Sequence, residues 1–278
     1  MKKRLPTILL FLVFFIGLSL LLYPTFANWW NSFHQSRAVA NYVEKVSNMD
    51  DAQYDEFWSA AWDYNQSLIH RPNDYLLSDE QRVTYEQLLN ITDNGIMGYI
   101  EIPKIDVVYP IYHGTDEAVL QIAIGHLDWT SLPVGGESSH CVVSGHRGLP
   151  SARLFTDLDQ LEIGDTFLLQ VLDEVLTYEI DQVLIVEPHV TEDLLIVEGE
   201  DLCTLVTCTP YGINSHRMLV RGHRIETAEV RAARRVTADA VQIEPIIVAP
   251  FVAAPMLLTL LIALMLPKKK KRNKEDVL

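Results

Sequence analysis

Three side-chain types in this chain could together carry out acyl transfer. Cys208 closes the β-rich run Leu202 to Thr207 and precedes Thr209-Pro210-Tyr211-Gly212, so its thiol is expected at a strand end beside an irregular loop. His146 also follows an extended run, in Val142-Val143-Ser144-Gly145-His146-Arg147-Gly148, where the glycines permit close approach of another segment. Arg217 opens the run that follows the cysteine loop. A thiolate attacks a carbonyl, an imidazole trades protons, and a fixed cation steadies the developing oxyanion. Three strand ends of this kind can meet at one rim of a barrel. The residue types alone leave a second reading open, since free cysteine is among the most buried residues and a histidine in a glycine loop is often a turn residue. Cys141 and Cys203 lie inside apolar runs and are expected in the core.

The elements that must position these groups are mostly strands. From Ile96 the chain becomes a series of short β-rich runs punctuated by Gly and Pro: Met97–Ile102, Val107–Tyr112, His140–Ser144, Thr166–Leu172, Leu176–Val186, Leu202–Thr207 and Arg217–Ile225. Many strands at short spacing predict a barrel or a sandwich. Asp116 to His126 reads as one or two inserted helical turns. Upstream, Trp29, Trp30, Phe33, Val39, Tyr42, Val43 and Val46 recur at helical spacing. Asp50 or Asp51 can cap a second helix with Tyr54, Phe57, Trp58, Ala61 and Trp62 on one side, and the aromatics of both helices, Trp29, Trp30 and Phe33 included, read as amphipathic faces to be packed on a core. Arg71-Pro72-Asn73-Asp74 breaks that helix, a short one follows from Asp79 to Asn90, and Thr92-Asp93-Asn94-Gly95 makes a turn.

Composition bounds the rest. With 278 residues, 49% of them hydrophobic, the chain can bury a core in one large or two small domains, and disorder is excluded. Two blocks, Leu5 to Tyr23 and Pro245 to Leu266, are nearly free of ionisable groups and match the roughly 20 apolar residues of a membrane-spanning helix. Nine of the 22 basic residues and two of the 37 acidic ones lie at the outer ends of these blocks. The retention of Lys and Arg on the cytoplasmic side therefore places both termini inside and the acidic middle outside. A cleaved leader ending near Thr25-Phe26-Ala27 is the alternative for the first block, although its apolar run exceeds the roughly 7–15 residues of a leader core. A buried core helix is the alternative for the second, against which Lys268 to Arg272 directly follow. So acidic an outer segment excludes a nucleic-acid partner. Three cysteines without a C-x-x-C pair suggest neither a disulfide framework nor structural zinc, and no metal or organic cofactor is expected.

Thr204-Leu205-Val206-Thr207-Cys208, followed by Arg217 and preceded by Ser144-Gly145-His146-Arg147-Gly148, resembles the signature of sortases, the cysteine transpeptidases of Gram-positive cell surfaces. Gly98-Tyr99-Ile100-Glu101-Ile102-Pro103-Lys104-Ile105, Thr130-Ser131-Leu132-Pro133-Val134-Gly135-Gly136, Gly148-Leu149-Pro150-Ser151-Ala152-Arg153-Leu154-Phe155 and Cys208-Thr209-Pro210-Tyr211-Gly212-Ile213-Asn214 look like class C, the pilus-assembling members. The resemblance covers about residues 65–225.

It implies a mainly β protein, a closed eight-stranded sortase-type β-barrel with N-terminal helices and a transmembrane helix at each end. The expected organisation is an anchor at 1–24, a helical region at 25–95, the catalytic barrel at 96–226, a connector at 227–244, a second span at 245–267 and a basic cytoplasmic tail at 268–278. The implied roles are Cys208 as nucleophile, His146 as general acid and base, and Arg217 as oxyanion or substrate-positioning cation. Class C members commonly carry a lid built on Asp-Pro and an aromatic. At 70–77 this chain has Asp74 and Tyr75 adjacent, without the intervening proline, so that stretch is either a degenerate lid or a linker.

The implied function is cleavage of an LPxTG-like sorting signal through a cysteine thioester and transfer of the acyl group to a pilin lysine, at the cell membrane with the catalytic domain extracellular. A sortase that attaches surface proteins to peptidoglycan cross-bridges would share the same three residues. A non-enzymatic adhesin would need its own sorting signal, whereas Leu132-Pro133-Val134-Gly135-Gly136 sits mid-domain with no apolar tail after it.

Overall fold

Short β-rich runs cannot bury their apolar faces singly, and here they pair into one closed sheet whose last strand returns to its first. The computed structural model describes residues 5–69 and 76–227. Its strands are β1 (Ile96–Ile102), β2 (Val107–His113), β3 (Ile124–His126), β4 (Ser139–Ser144), β5 (Thr166–Val171), β6 (Glu174–Val186), β7 (Asp201–Thr209) and β8 (His216–Ile225). They close in the order β1-β2-β3-β4-β7-β8-β6-β5. Most neighbours are antiparallel, but β2 and β3, and β4 and β7, run parallel.

Ile100, Ile111, Val143, Phe155, Phe167, Tyr178, Leu205 and Val220 are fully buried in the main core. A second, smaller cluster of Val142, Leu194, Val206 and Leu219 covers the outer face of β4, β7 and β8. Both faces of β4 and β7 are therefore buried along nearly their whole length, so polar side chains such as His140 and Thr204 hydrogen-bond inside the protein.

One strand departs from expectation. Within the stretch read as helical, only Glu117–Leu120 (α4) is helix, and Ile124–His126 is strand β3. Three residues are too few to display an alternating pattern. Pairing with β2 on one side and β4 on the other imposes the conformation.

Three longer helices precede the barrel: α1 (Leu5–Ser47), α2 (Asp51–Leu68) and α3 (Asp79–Gln87). Helix α1 runs unbroken through Pro24 and through the boundary expected at residue 24, and it is long and apolar enough at its start to span a membrane. Helices α2 and α3 each begin with a reciprocal cap, Asp50 with Gln53 and Ser78 with Gln81, which satisfies backbone N–H groups that the first turn leaves open. The second span at 245–267, with its connector and tail, lies outside the described residues.

Each helix is pinned to the barrel by a buried polar side chain. Tyr42 of α1 donates to the Met97 carbonyl (3.0 Å) and accepts from the Leu172 amide (2.8 Å). Asn65 of α2 makes both hydrogen bonds to the Leu132 backbone, at 3.0 and 2.7 Å. Tyr85 of α3 accepts from the Gly114 amide (3.0 Å) and donates to His126 Nδ1 (2.9 Å). His126 Nε2 lies 2.8 Å from the Ser131 carbonyl, which can only accept, so Nε2 carries an N–H that donates to it.

Candidate active site

The strand register brings the three sequence-predicted residues to one end of the barrel. Cys208 on β7 and Arg217 on β8 are direct partners in an antiparallel ladder, so their side chains leave the sheet on the same face. On the other side of β7, Ser144 of β4 is level with Val206 in parallel register. His146 and Cys208 each stand two residues further along. The imidazole and the thiol therefore leave adjacent strand ends at one level.

Local contacts fix that level. The Gly145 amide donates to the Val206 carbonyl at 3.1 Å, and the Thr207 hydroxyl donates to the Gly145 carbonyl at 2.8 Å, which joins the histidine loop to the cysteine strand. A side chain at Gly145 would meet the Ile124 side chain at 2.6 Å and the Phe155 ring at 2.8 Å. Only glycine lets the backbone pass between those groups and deliver the next residue to the rim.

The three side chains differ in their surroundings. Cys208 is half-buried, whereas Cys141 and Cys203 are buried and directly paired across β4 and β7. Burial pushes the Cys203 thiol well above its ordinary range. His146 is 28% exposed, and its Nε2 lies 3.8 Å from a carboxylate oxygen of Glu117, in the first turn of α4. Arg217 directs Nη1 to the carbonyls of Asn214 (3.3 Å) and His216 (3.2 Å), contacts that hold the guanidinium at the mouth of the β7–β8 loop. A half-buried thiol, an imidazole and a guanidinium at one rim provide the parts of a covalent acyl transfer. Among the described residues, no group of three or more His, Cys, Asp or Glu is arranged to hold a metal ion.

A family model for the sortase domain matches residues 100–225. Sortase C1 of Streptococcus agalactiae is 48% identical and superposes with a TM-score of 0.67, covering 69% of this chain and 99% of that one. The chain belongs to the sortase family. Sortase C of Streptococcus pneumoniae (46% identical, TM-score 0.62, 68% of this chain and 97% of that one) and sortase C of Clostridium perfringens with a C-terminal cell wall sorting motif (40%, 0.61, 69% and 99%) are similar as well. The class named from the sequence motifs is thus the class of these solved relatives. Sortase D of Bacillus subtilis is 32% identical over 131 residues, a match spanning 63% of its length and 46% of this chain.

The described part of this sortase contains a residue at the rim that sequence reading passed over. Arg147, next to His146, has only 9% of its side chain exposed and pairs through Nη2 with Asp159. Its Nη1 donates to the Thr209 hydroxyl at 3.4 Å, and the guanidinium lies 6.0 Å from the centre of the Tyr211 ring. Arg147 thereby joins the loop after the histidine to the loop after the cysteine. Gly148, at φ +80°, lets the same ring approach, since a Cβ there would stand 2.9 Å from it. The sequence carried one signal, an arginine directly beside the candidate base, but its partner Asp159 is twelve residues on and in no motif. Asp74 and Tyr75 lie outside the described residues. Leu77, just beyond them, is buried.

Proposed function

We propose that this sortase is a membrane-anchored cysteine transpeptidase that joins pilin subunits. The Cys208 sulfur, as thiolate, attacks the threonine carbonyl of an LPxTG-like signal, and Arg217 donates to the oxyanion that forms. The threonine–glycine bond breaks as His146 gives a proton to the departing glycine amine, leaving a thioester. A pilin lysine amine then attacks the thioester carbonyl and yields its proton to His146. The new isopeptide bond forms, and Cys208 leaves as thiolate. The supporting observation is the strand register, which sets Cys208 opposite Arg217 and level with His146. The presence of a C-terminal cell wall sorting motif in the Clostridium perfringens relative supports the substrate class, and the pilin substrate specificity described for the Streptococcus pneumoniae sortase C supports a pilin acceptor.

In this reading α1 anchors the enzyme, both termini are cytoplasmic, and the barrel works outside the cell. Incubating the full-length protein in detergent with an LPxTG-type peptide, followed by mass spectrometry, should give an adduct on Cys208. Adding a pilin subunit should convert that adduct to a lysine-linked product. An adduct on another residue, or none, overturns the reading.

A further inference from the structure

Helix α1 carries two opposite faces just beyond its apolar segment. Phe26, Trp29, Trp30 and Phe33 recur at i, i+3, i+4 and i+7, and all four are more than half exposed. Asn28, Asn31 and Gln35 lie on the other side of the helix and grip the barrel. The Asn31 side chain donates to the Ser151 carbonyl at 2.7 Å, and the Arg153 amide donates to the Asn28 side chain at 3.0 Å. Gln35 donates to the Ile122 carbonyl. Ser151 and Arg153 belong to the loop that follows His146. Ile122 follows α4, whose Glu117 faces His146. Both flanks of His146 are thus tied to one short stretch of α1.

The helix also works as a ruler. At 1.5 Å per residue, Asn28 stands about 6 Å and Asn31 about 10 Å beyond Pro24, within or just past the headgroup layer that flanks a bilayer's hydrocarbon core. Tyr42, which grips Met97 and Leu172 elsewhere on the barrel, stands about 27 Å beyond Pro24. The exposed aromatics lie at the near level, where amphipathic rings collect in membrane proteins, and so large an unpartnered aromatic face calls for a partner. The continuity of this face with the apolar run identifies that partner as the lipid bilayer.

We propose that the barrel end carrying His146 rests against the lipid headgroups, held there by Phe26, Trp29, Trp30 and Phe33, so that the site works on sorting signals presented at the bilayer surface. The inference rests on the reading of α1 as a membrane span.

The test uses full-length protein in phosphatidylcholine–phosphatidylglycerol vesicles, with Cys208→Ala leaving the buried Cys141 and Cys203 as the remaining native thiols. A fluorophore is placed singly at Ser151→Cys, Asp173→Cys or Leu12→Cys, and nitroxide lipids labelled at the headgroup or mid-chain serve as quenchers. Only the Ser151 carbonyl contacts Asn31, so its substitution keeps that bond. Headgroup nitroxide should quench the Ser151 probe and leave the Asp173 probe unquenched, while mid-chain nitroxide quenches the Leu12 probe. Quenching at Leu12 without quenching at Ser151 overturns the proposal and leaves the anchor standing. Absence of quenching at Leu12 overturns the anchor itself.

Discussion

At the residue scale, Cys208 differs from the other two thiols in reaching solvent at a strand end, and its side chain contributes little to the core. Cys208→Ala should abolish capture of a sorting peptide, read by mass spectrometry, while the urea midpoint stays close to that of the parent. Cys203→Ala removes a fully buried side chain and should lower stability by about 1 kcal/mol or more, with activity per folded molecule retained. Arg217→Lys keeps the charge but loses the planar fork of donors that an oxyanion can accept from on two sides. Its acylation rate at saturating peptide should fall by about 100-fold, the usual consequence of losing an oxyanion donor. A near-normal rate would make Arg217 a residue of the strand and the loop turn only.

At the scale of elements, the site depends on two loops keeping one geometry. The loop after β4 presents His146 and the loop after β7 follows Cys208. Arg147 connects them through Thr209, Tyr211 and Asp159. Arg147→Gln cannot maintain all three contacts. Asp159 is partly exposed and can be rehydrated, whereas Arg147 is nearly buried, so the stability cost should be moderate, about 1–2 kcal/mol, between that of an exposed ion pair and that of a buried one. The effect should appear locally, as faster amide exchange at Ile213 and Asn214, whose N–H groups bond to the Pro210 carbonyl, and as a lower kcat with peptide. Unchanged exchange in the loop would show that β7 and β8 hold it without Arg147.

At the scale of the whole molecule, buried histidines tie stability to pH. His140 is enclosed by the Leu195 carbonyl and the Thr204 hydroxyl, and burial pulls its pKa down to about 4. Burial lowers that of His113 too. Both are neutral in the fold. In the unfolded chain they take up protons near their ordinary value of 6.5, so the unfolded state binds more protons below that pH. Stability should then decline as pH falls from 6.5 towards 4, by up to about 1.4 kcal/mol per pH unit for His140. Asp201 acts in the opposite direction, because burial raises its carboxyl. Urea unfolding of the parent and of His140→Gln across this window separates the contributions. The variant should show the shallower slope, and equal slopes would remove His140 from the account.

Much of this was legible in the linear chain because it is written in local patterns. The strand periods, a cap at Asp50 or Asp51, the apolar N-terminal block and the short motifs around His146, Cys208 and Arg217 each depend on residues a few positions apart. The sequence by itself therefore determined the residue types at the rim, the strand runs that deliver them and the family. Strand β3 was hidden because its conformation comes from pairing with β2 and β4 rather than from three residues of its own. The continuity of α1 through Pro24 and its hold on the loop at Ser151 and Arg153 were hidden too, as was the bridge from Arg147 to Asp159 and Thr209. Those contacts join residues distant in sequence, and their geometry exists only once the barrel has closed. Only the tertiary structure could decide which face of α1 meets the barrel and which stays exposed, because a helix fixes the two faces but not what each is packed against.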